Sequence, residues 1–225
     1  MNHNQTPPGK ASIDSLEDSR ILEYDPFYGK REFSNYQAPT DKECIRLWDK
    51  YDVPGNIREH SFRVADIAQA IARRASETGT LPEGCDVQAV RAAGLLHDLA
   101  KRYCIDHGGQ HAQVGAAWAR QETGNPLIAQ AILHHVWWPL DADPIRHFLP
   151  LAVLYADKRV RHEKIVSLGA RFADLIERYA KNEYIRERIK LALSQSKAIE
   201  AMFEEILGVD LNACTFDSGR LVERA

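Results

Sequence analysis

From Thr40 to Leu207 apolar residues recur at spacings of three and four, and no stretch alternates apolar with polar as a half-buried strand would. That period leaves a bundle of packed helices as the main way to build a core. Turn signals cut the pattern into segments. Thr40 with Glu43 three residues on is a capping box, opening a helix to about Tyr51. Pro54-Gly55-Asn56 is a turn, followed by a long helix from about Ile57 to Glu77. Asp86 caps a helix that runs to about Lys101, and residues 104–110, with Gly108-Gly109, read as a loop. Helices over about 111–122, 126–136, 147–161, 163–180 and 183–207 complete the pattern. The reading is all-α, with a helical core over 40–207. An irregular arm over 1–39 is disordered in its polar first 20 residues and then carries Tyr24, Phe27, Tyr28, Phe33 and Tyr36 without periodicity. A weakly patterned tail covers 208–225.

The 225 residues, 44% hydrophobic and 27% charged, describe one soluble globular domain with extensions. A net charge of −3 argues against a general binder of nucleic acid, duplex in particular, and leaves room for a small basic pocket. Cys44, Cys85, Cys104 and Cys214 lie far apart with no C-x-x-C pair and read as reduced thiols. There is neither an apolar run of ~18 residues nor a hydrophobic signal core, so no membrane contact and a cytoplasmic location are expected.

Against this ordinary background, ionisable side chains fall on the wrong faces. His60 shares a stripe with Val64, Ile67 and Ile71. His97 shares one with Val90 and Ala93, Asp98 one with Leu95 and Gly94. His135 follows Ile128, Ala131 and Ile132, and Asp157 follows Val153 and Leu154 at helical offsets. His111 opens a helix after a glycine pair, with small Gly115 one turn on. One such histidine is more often a hydrogen-bonded core residue than a ligand. Six such groups on successive helices need either a dense mutual network or a cation, because an unpaired buried polar group costs several kcal/mol. Imidazole and carboxylate are usual ligands of divalent cations, and the mixture suits iron or manganese first, then zinc, nickel or cobalt, better than magnesium. His3, His107, His147 and His162 lie in polar contexts and read as surface. His134 points about 100° away from His135 on an ideal helix.

The order H…HD…H…H…D resembles the HD superfamily of metal-dependent phosphohydrolases. The segments that carry the likeness are His60-Ser-Phe-Arg63-Val, Leu96-His97-Asp98-Leu-Ala-Lys101, His111-Ala-Gln-Val-Gly115, Ala131-Ile-Leu-His134-His135 and Tyr155-Ala-Asp157-Lys158. With His111 and His135 present the pattern looks like the branch that holds two metals, which includes hydrolases of dinucleoside tetraphosphates. The chain departs from those hydrolases at His134-His135 and at Lys158-Arg159-Val160-Arg161. Trp137-Trp138-Pro139 stands where the cyclic-dinucleotide branch has Gly-Tyr-Pro. The resemblance implies a helical bundle, a site for two divalent cations and hydrolysis of a phosphoester or phosphoanhydride in a nucleotide or other small phosphorylated molecule.

On that basis His60, His97, Asp98 and Asp157 hold one cation, and Asp98 bridges to a second held by His111 and His135. Asp98 and Lys101 are the catalytic pair, Lys101 reaching the same rim to meet phosphate or a leaving group. Arg63, His134 and Lys158 join Lys101 in binding substrate, Arg161 adds positive charge, and Trp137 and Trp138 offer a wall for a base. Two other functions fit the scaffold: a di-iron oxygenase, separated by oxygen uptake, and a nucleotide sensor without turnover. The aromatic arm at 24–36 is the piece that would bridge subunits of a homo-oligomer.

Overall fold

The structure is a computed structural model that describes residues 36–223. The expectations for residues 1–35, including the arm aromatics before Tyr36, lie outside the described residues. Among the described residues nine helices and two small hairpins follow in order: α1 (Asp41–Lys50), α2 (Gly55–Glu77), α3 (Val87–Leu96), α4 (Lys101–His107), α5 (His111–Thr123), α6 (Pro126–His134) and α7 (Phe148–Lys158), then strands β1 (Val160–Arg161) and β2 (Lys164–Ile165), α8 (Leu168–Tyr179), α9 (Glu183–Leu207), and strands β3 (Cys214–Asp217) and β4 (Arg220–Glu223). The fold is all-α, as the periodicity requires.

Local chemistry sets the boundaries. Thr40 accepts from the Glu43 amide while Glu43 accepts from the Thr40 amide, closing the capping box of α1. Asp86 caps α3 through the Gln88 and Ala89 amides, and Asn125 caps α6 with Pro126 at its first position. α2 is the axis of the bundle: α3, α7 and both hairpins pack on it, and α6 bridges α3, α5 and α7. Val64, Ile67, Leu95, Leu96, Ile132 and Tyr155 fill the space between, each at most 1% exposed.

α2 and α3 meet backbone to backbone at Gly94. A methyl group built on Gly94 would stand 2.7 Å from the Ala65 Cα, so only glycine lets these two backbones touch. Gly115 does a milder version of the same on α5, where a Cβ would meet Ile132 at 3.3 Å.

Several boundaries differ from the periodicity. α3 stops at Leu96, and His97–Ala100 turn before α4 begins. Residues 104–107, read as loop, complete α4, a helix with no buried residue and hence no apolar stripe to reveal it. α7 stops at Lys158, and the residues beyond it form the β1–β2 hairpin, whose tip residue His162 has φ 58. The tail is not weakly structured as far as it is described. β3 and β4 pair Cys214 with Glu223 through Asp217 with Arg220, turning through Ser218 and Gly219, both at positive φ. This hairpin packs against α2, where Arg73 donates to the Ser218 and Gly219 carbonyls. His147, read as surface, is 5% exposed, its ring 4.7 Å from that of Trp138.

One buried polar cluster sits between α7, α9 and the tail. Arg159, 4% exposed, donates to the Tyr155 hydroxyl, to Glu200 Oε2 at 3.3 Å, to the Leu211 carbonyl and to the Val166 carbonyl at 2.7 Å. Tyr155 donates to Glu200 Oε2 at 2.7 Å. Every charge in it meets its complement.

Candidate metal centre

The six residues singled out from the sequence come from five places in the bundle: His60 from α2, His97 and Asp98 from the turn after α3, His111 from the start of α5, His135 just past α6, and Asp157 from the last turn of α7. They converge. His60 Nε2 lies 3.0 Å from Asp157 Oδ1, and His97 Nε2 lies 3.4 Å from Asp98 Oδ2 and 3.7 Å from Asp157 Oδ1. His111 and His135 Nε2 are 3.1 Å apart, at 3.3 and 3.7 Å from Asp98 Oδ1. The two carboxylate oxygens of Asp98 therefore face two different pairs of imidazoles. Two groups of three close enough to share an ion stand out among the described residues, His60–His97–Asp157 and His97–Asp98–His135. His97 belongs to both, a sharing that the sequence reading gave to Asp98.

The orientation of the rings is fixed from behind. His60 Nδ1 donates to the His162 carbonyl at 2.9 Å, His97 Nδ1 to the Gly94 carbonyl at 2.8 Å, and His135 Nδ1 to the Ile132 carbonyl at 2.7 Å. A carbonyl only accepts, so each Nδ1 carries the proton, and the deprotonated Nε2 that a metal requires would present its lone pair into the cluster. In that form the Nε2 atoms face carboxylate oxygens, which are also acceptors. His97 Nε2 and Asp98 Oδ1 are fully buried without a hydrogen-bond partner. Such an arrangement is unfavourable until a cation enters it, and a back-side hydrogen bond on Nδ1 is the usual support of a metal-ligating histidine. The donor set, nitrogen and carboxylate oxygen, fits a divalent first-row metal.

Electrostatics follow from the burial. Desolvation pushes the His135 imidazole down to about 3, with the nearby His97 adding to the effect, so it is neutral and available at neutral pH. Burial also lowers His97, but the Asp98 and Asp157 carboxylates more than offset this and raise it. Burial would raise Asp98 and Asp157. For Asp98 the His97 and Lys101 charges prevail, for Asp157 those of Lys158 and the His60 and His97 rings, and both carboxyls sit well below their ordinary range. Burial lowers Lys101, Asp98 and Asp157 outweigh it, and the Arg171 charge opposes the net rise.

The expected substrate groups divide. Lys101 reaches Asp98 Oδ2 at 2.6 Å with its side chain 39% exposed, so it stands at the open rim together with His111, 31% exposed. Lys158 is buried, bonded to Asp157 Oδ2 at 2.7 Å and to the His135 carbonyl at 3.2 Å, which makes it a support of the cluster and not a solvated charge. Arg63 points away, half exposed and 3.7 Å from Asp66. His134 lies against Trp138, ring centroids 5.3 Å apart, outside both ligand groups. Trp138 is a core residue whose indole donates to the Asp141 carbonyl, so it is no wall for a base, while Trp137 lies near the Arg188 guanidinium. Sequence reasoning missed the His162 carbonyl behind His60.

The profile of the HD domain family matches residues 57–182, more than half of the chain. The chain belongs to the HD domain family. Its curated relatives include Ribonuclease Y of Wolinella succinogenes, 38% identical over 101 residues that cover 44% of this HD protein and 18% of that one. Ribonuclease Y of Opitutus terrae is 32% identical over 97 residues, 41% and 17% of the two chains, and Ribonuclease Y of Geobacter sulfurreducens 39% over 82 residues, 36% and 14%. The HD chain thus spans less than a fifth of the length of these relatives. No solved structure gives a significant match. No helix among the described residues is long and apolar enough to cross a membrane.

Proposed function

We propose that this HD domain is a metal-dependent phosphohydrolase that cleaves a phosphoester bond between ribonucleotides. The observation that carries the reading is the set of three histidines pinned at Nδ1 and aimed by Nε2 at two buried carboxylates. His60, His97, Asp98 and Asp157 would hold one divalent cation, with His111, His135 and the second oxygen of Asp98 available for another; iron or manganese suits them best. Such a cation supplies Lewis acidity toward a phosphoryl oxygen and acidifies water near neutral pH.

The chain's own residues do the rest. The carbonyls of Gly94, Ile132 and His162 hold the rings in one tautomer and one plane. Lys158 keeps Asp157 ionised and in place. Lys101, at the open rim, sets an ammonium beside Asp98 where charge on a phosphate oxygen or leaving group would develop.

Likeness to proteins named ribonuclease Y supports an RNA phosphodiester as the substrate, in place of the free nucleotide that the motifs alone suggest. A second reading, hydrolysis of a dinucleoside polyphosphate, draws support from the two faces of Asp98, each turned to its own imidazole pair. Elemental analysis of purified protein, followed by product analysis with short single-stranded oligoribonucleotides, mononucleotides and dinucleoside tetraphosphates under several divalent metals, decides between them. Oxygen uptake with iron bound and no phosphoester cleavage would turn the assignment to an oxygenase. Nucleotide binding without turnover under any metal would turn it to a sensor.

A further inference from the structure

Three arginines converge on one cavity toward the other end of α2. Arg73 and Arg74 come from near the end of that helix and Arg220 from β4, with Val209 and Leu221 as apolar wall. The cavity measures about 110 Å³, several times the ~10–15 Å³ that a single water needs. Along α2 the rise from His60 to Arg73 is about 20 Å, so this place is separate from the metal centre.

Two of the arginines brace the fold. Arg73 Nη1 donates to the Ser218 and Gly219 carbonyls, and Arg74 Nε to the Leu207 carbonyl, each at 3.3 Å. Those bonds tie the β3–β4 turn and the end of α9 to α2, and they use one nitrogen of each guanidinium. Arg220 braces nothing. Its cross-strand neighbour is Asp217, whose carboxylate accepts from the Ser218 hydroxyl instead. Among the described residues the Arg220 side chain enters no hydrogen bond or ion pair, and neither Arg73 nor Arg74 has a carboxylate partner. Glu77 is the one acidic residue in the lining, and it pairs with none of them.

Guanidiniums stay ionised, so three of them against one carboxylate leave a local charge of about +2. Like charges gathered in a partly enclosed space repel one another until a counter-ion joins them. The unused N–H groups are planar forks, whose spacing matches two oxygens of a phosphate. A phosphate monoester carries about −1.5 to −2 near neutral pH, which answers the charge left over.

We propose that this cavity binds the phosphate group of a small molecule, held by Arg220 and Arg74 with Arg73 beside them. A space of this size takes a free or terminal phosphate and not a length of nucleic-acid strand. The site does not depend on the phosphohydrolase reading, because it shares no residue with the metal centre.

The test titrates the full chain, loaded with manganese, with inorganic phosphate, adenosine monophosphate and adenosine by calorimetry. Wild type is compared with Arg220→Gln, Arg220→Glu and Arg178→Gln, the last removing a charge on α8 outside the cavity. None of these touches a metal ligand, so phosphate bound at the metal centre is common to all four proteins and the differences report this cavity. Losing a charge-assisted contact should weaken one phosphate site by about 10-fold or more in Arg220→Gln. Its thermal midpoint without phosphate should match wild type, since the side chain bonds nothing. Arg220→Glu supplies the missing counter-ion from the protein, so it should abolish the site and raise the midpoint. Arg178→Gln should bind as wild type does. Arg220-dependent binding of adenosine monophosphate would identify a terminal phosphate as the ligand, and binding of inorganic phosphate alone would identify the free ion; both uphold the site. Equal phosphate affinity in wild type and Arg220→Gln would overturn it. So would an equal loss in Arg178→Gln, which would make net charge responsible, or adenosine binding as tightly as its monophosphate. A lowered midpoint in Arg220→Glu would show that the arginines lack no counter-ion, which also overturns the proposal.

Discussion

Two clusters of buried charge share the end of α7, and they are built on opposite logic. Around Arg159 every donor meets an acceptor: the guanidinium reaches Tyr155, Glu200 and the Leu211 and Val166 carbonyls, and Tyr155 closes the ring on Glu200. Around Asp157, two residues earlier, acceptors face acceptors once the rings are deprotonated at Nε2, with His60 Nε2 at 3.0 Å and His97 Nε2 at 3.7 Å from one carboxylate oxygen. The first cluster is complete as protein. The second leaves His97 Nε2 and Asp98 Oδ1 buried without a hydrogen-bond partner. Burial of charge alone does not distinguish a site from a structural brace; the balance of donors to acceptors does.

That contrast can be broken most sharply at Asp98. Asp98→Ala should lose bound metal and turnover together, by more than the ~100-fold that losing an outer hydrogen bond costs a metal site. Full metal occupancy in the purified variant would sink the ligand assignment. Arg159→Met should behave in the opposite way. Removing one partner from a closed buried cluster costs about 3–5 kcal/mol of stability, read by urea unfolding, while the folded fraction keeps its metal. A metal-free but fully stable Arg159→Met protein would erase the distinction.

Chelation should act on one cluster only. A metal present at about 100 times its dissociation constant adds about 2.7 kcal/mol, so stripping wild type should lower its thermal midpoint, and restoring manganese should reverse the loss. The same treatment of Asp98→Ala should change nothing. The smallest expected effect is acid sensitivity of the stripped protein. The Asp98 and Asp157 carboxyls are depressed below their unfolded values. Their contribution is therefore present above about pH 4 and lost as the pH falls further. An Asp157→Asn variant should show a shallower loss in acid unfolding than wild type; an identical slope would place the acid sensitivity elsewhere.

How much of this was readable in the sequence differs by element. The long helices were, because α2 and α7 carry apolar stripes that keep their period for turns on end. The convergence of the buried histidines and carboxylates was readable for the same reason, since a histidine on an apolar stripe contradicts its neighbours. α4 was not, because a seven-residue helix that buries nothing has no stripe. The β3–β4 hairpin left a faint signal, Cys214 and Phe216 buried in alternation before a Ser218-Gly219 turn, too short to stand out from a tail. The finer roles were hidden by distance. Nothing local tells that Arg159 meets Glu200, or that Lys158 turns inward to Asp157 while the half-exposed Arg63 turns outward to Asp66. Charges next to one another in a basic run read as solvent-facing until the packing around them is known.

The spacing within the cluster is set by one absent methyl group. Because Gly94 lets α3 lie directly on α2, the imidazoles of His60 and His97 come to within 5.3 Å between ring centres. A larger residue at that crossing would wedge the two helices apart and leave all six side chains in the sequence, still correctly spaced along it, yet too widely parted to enclose a cation between α2 and α3.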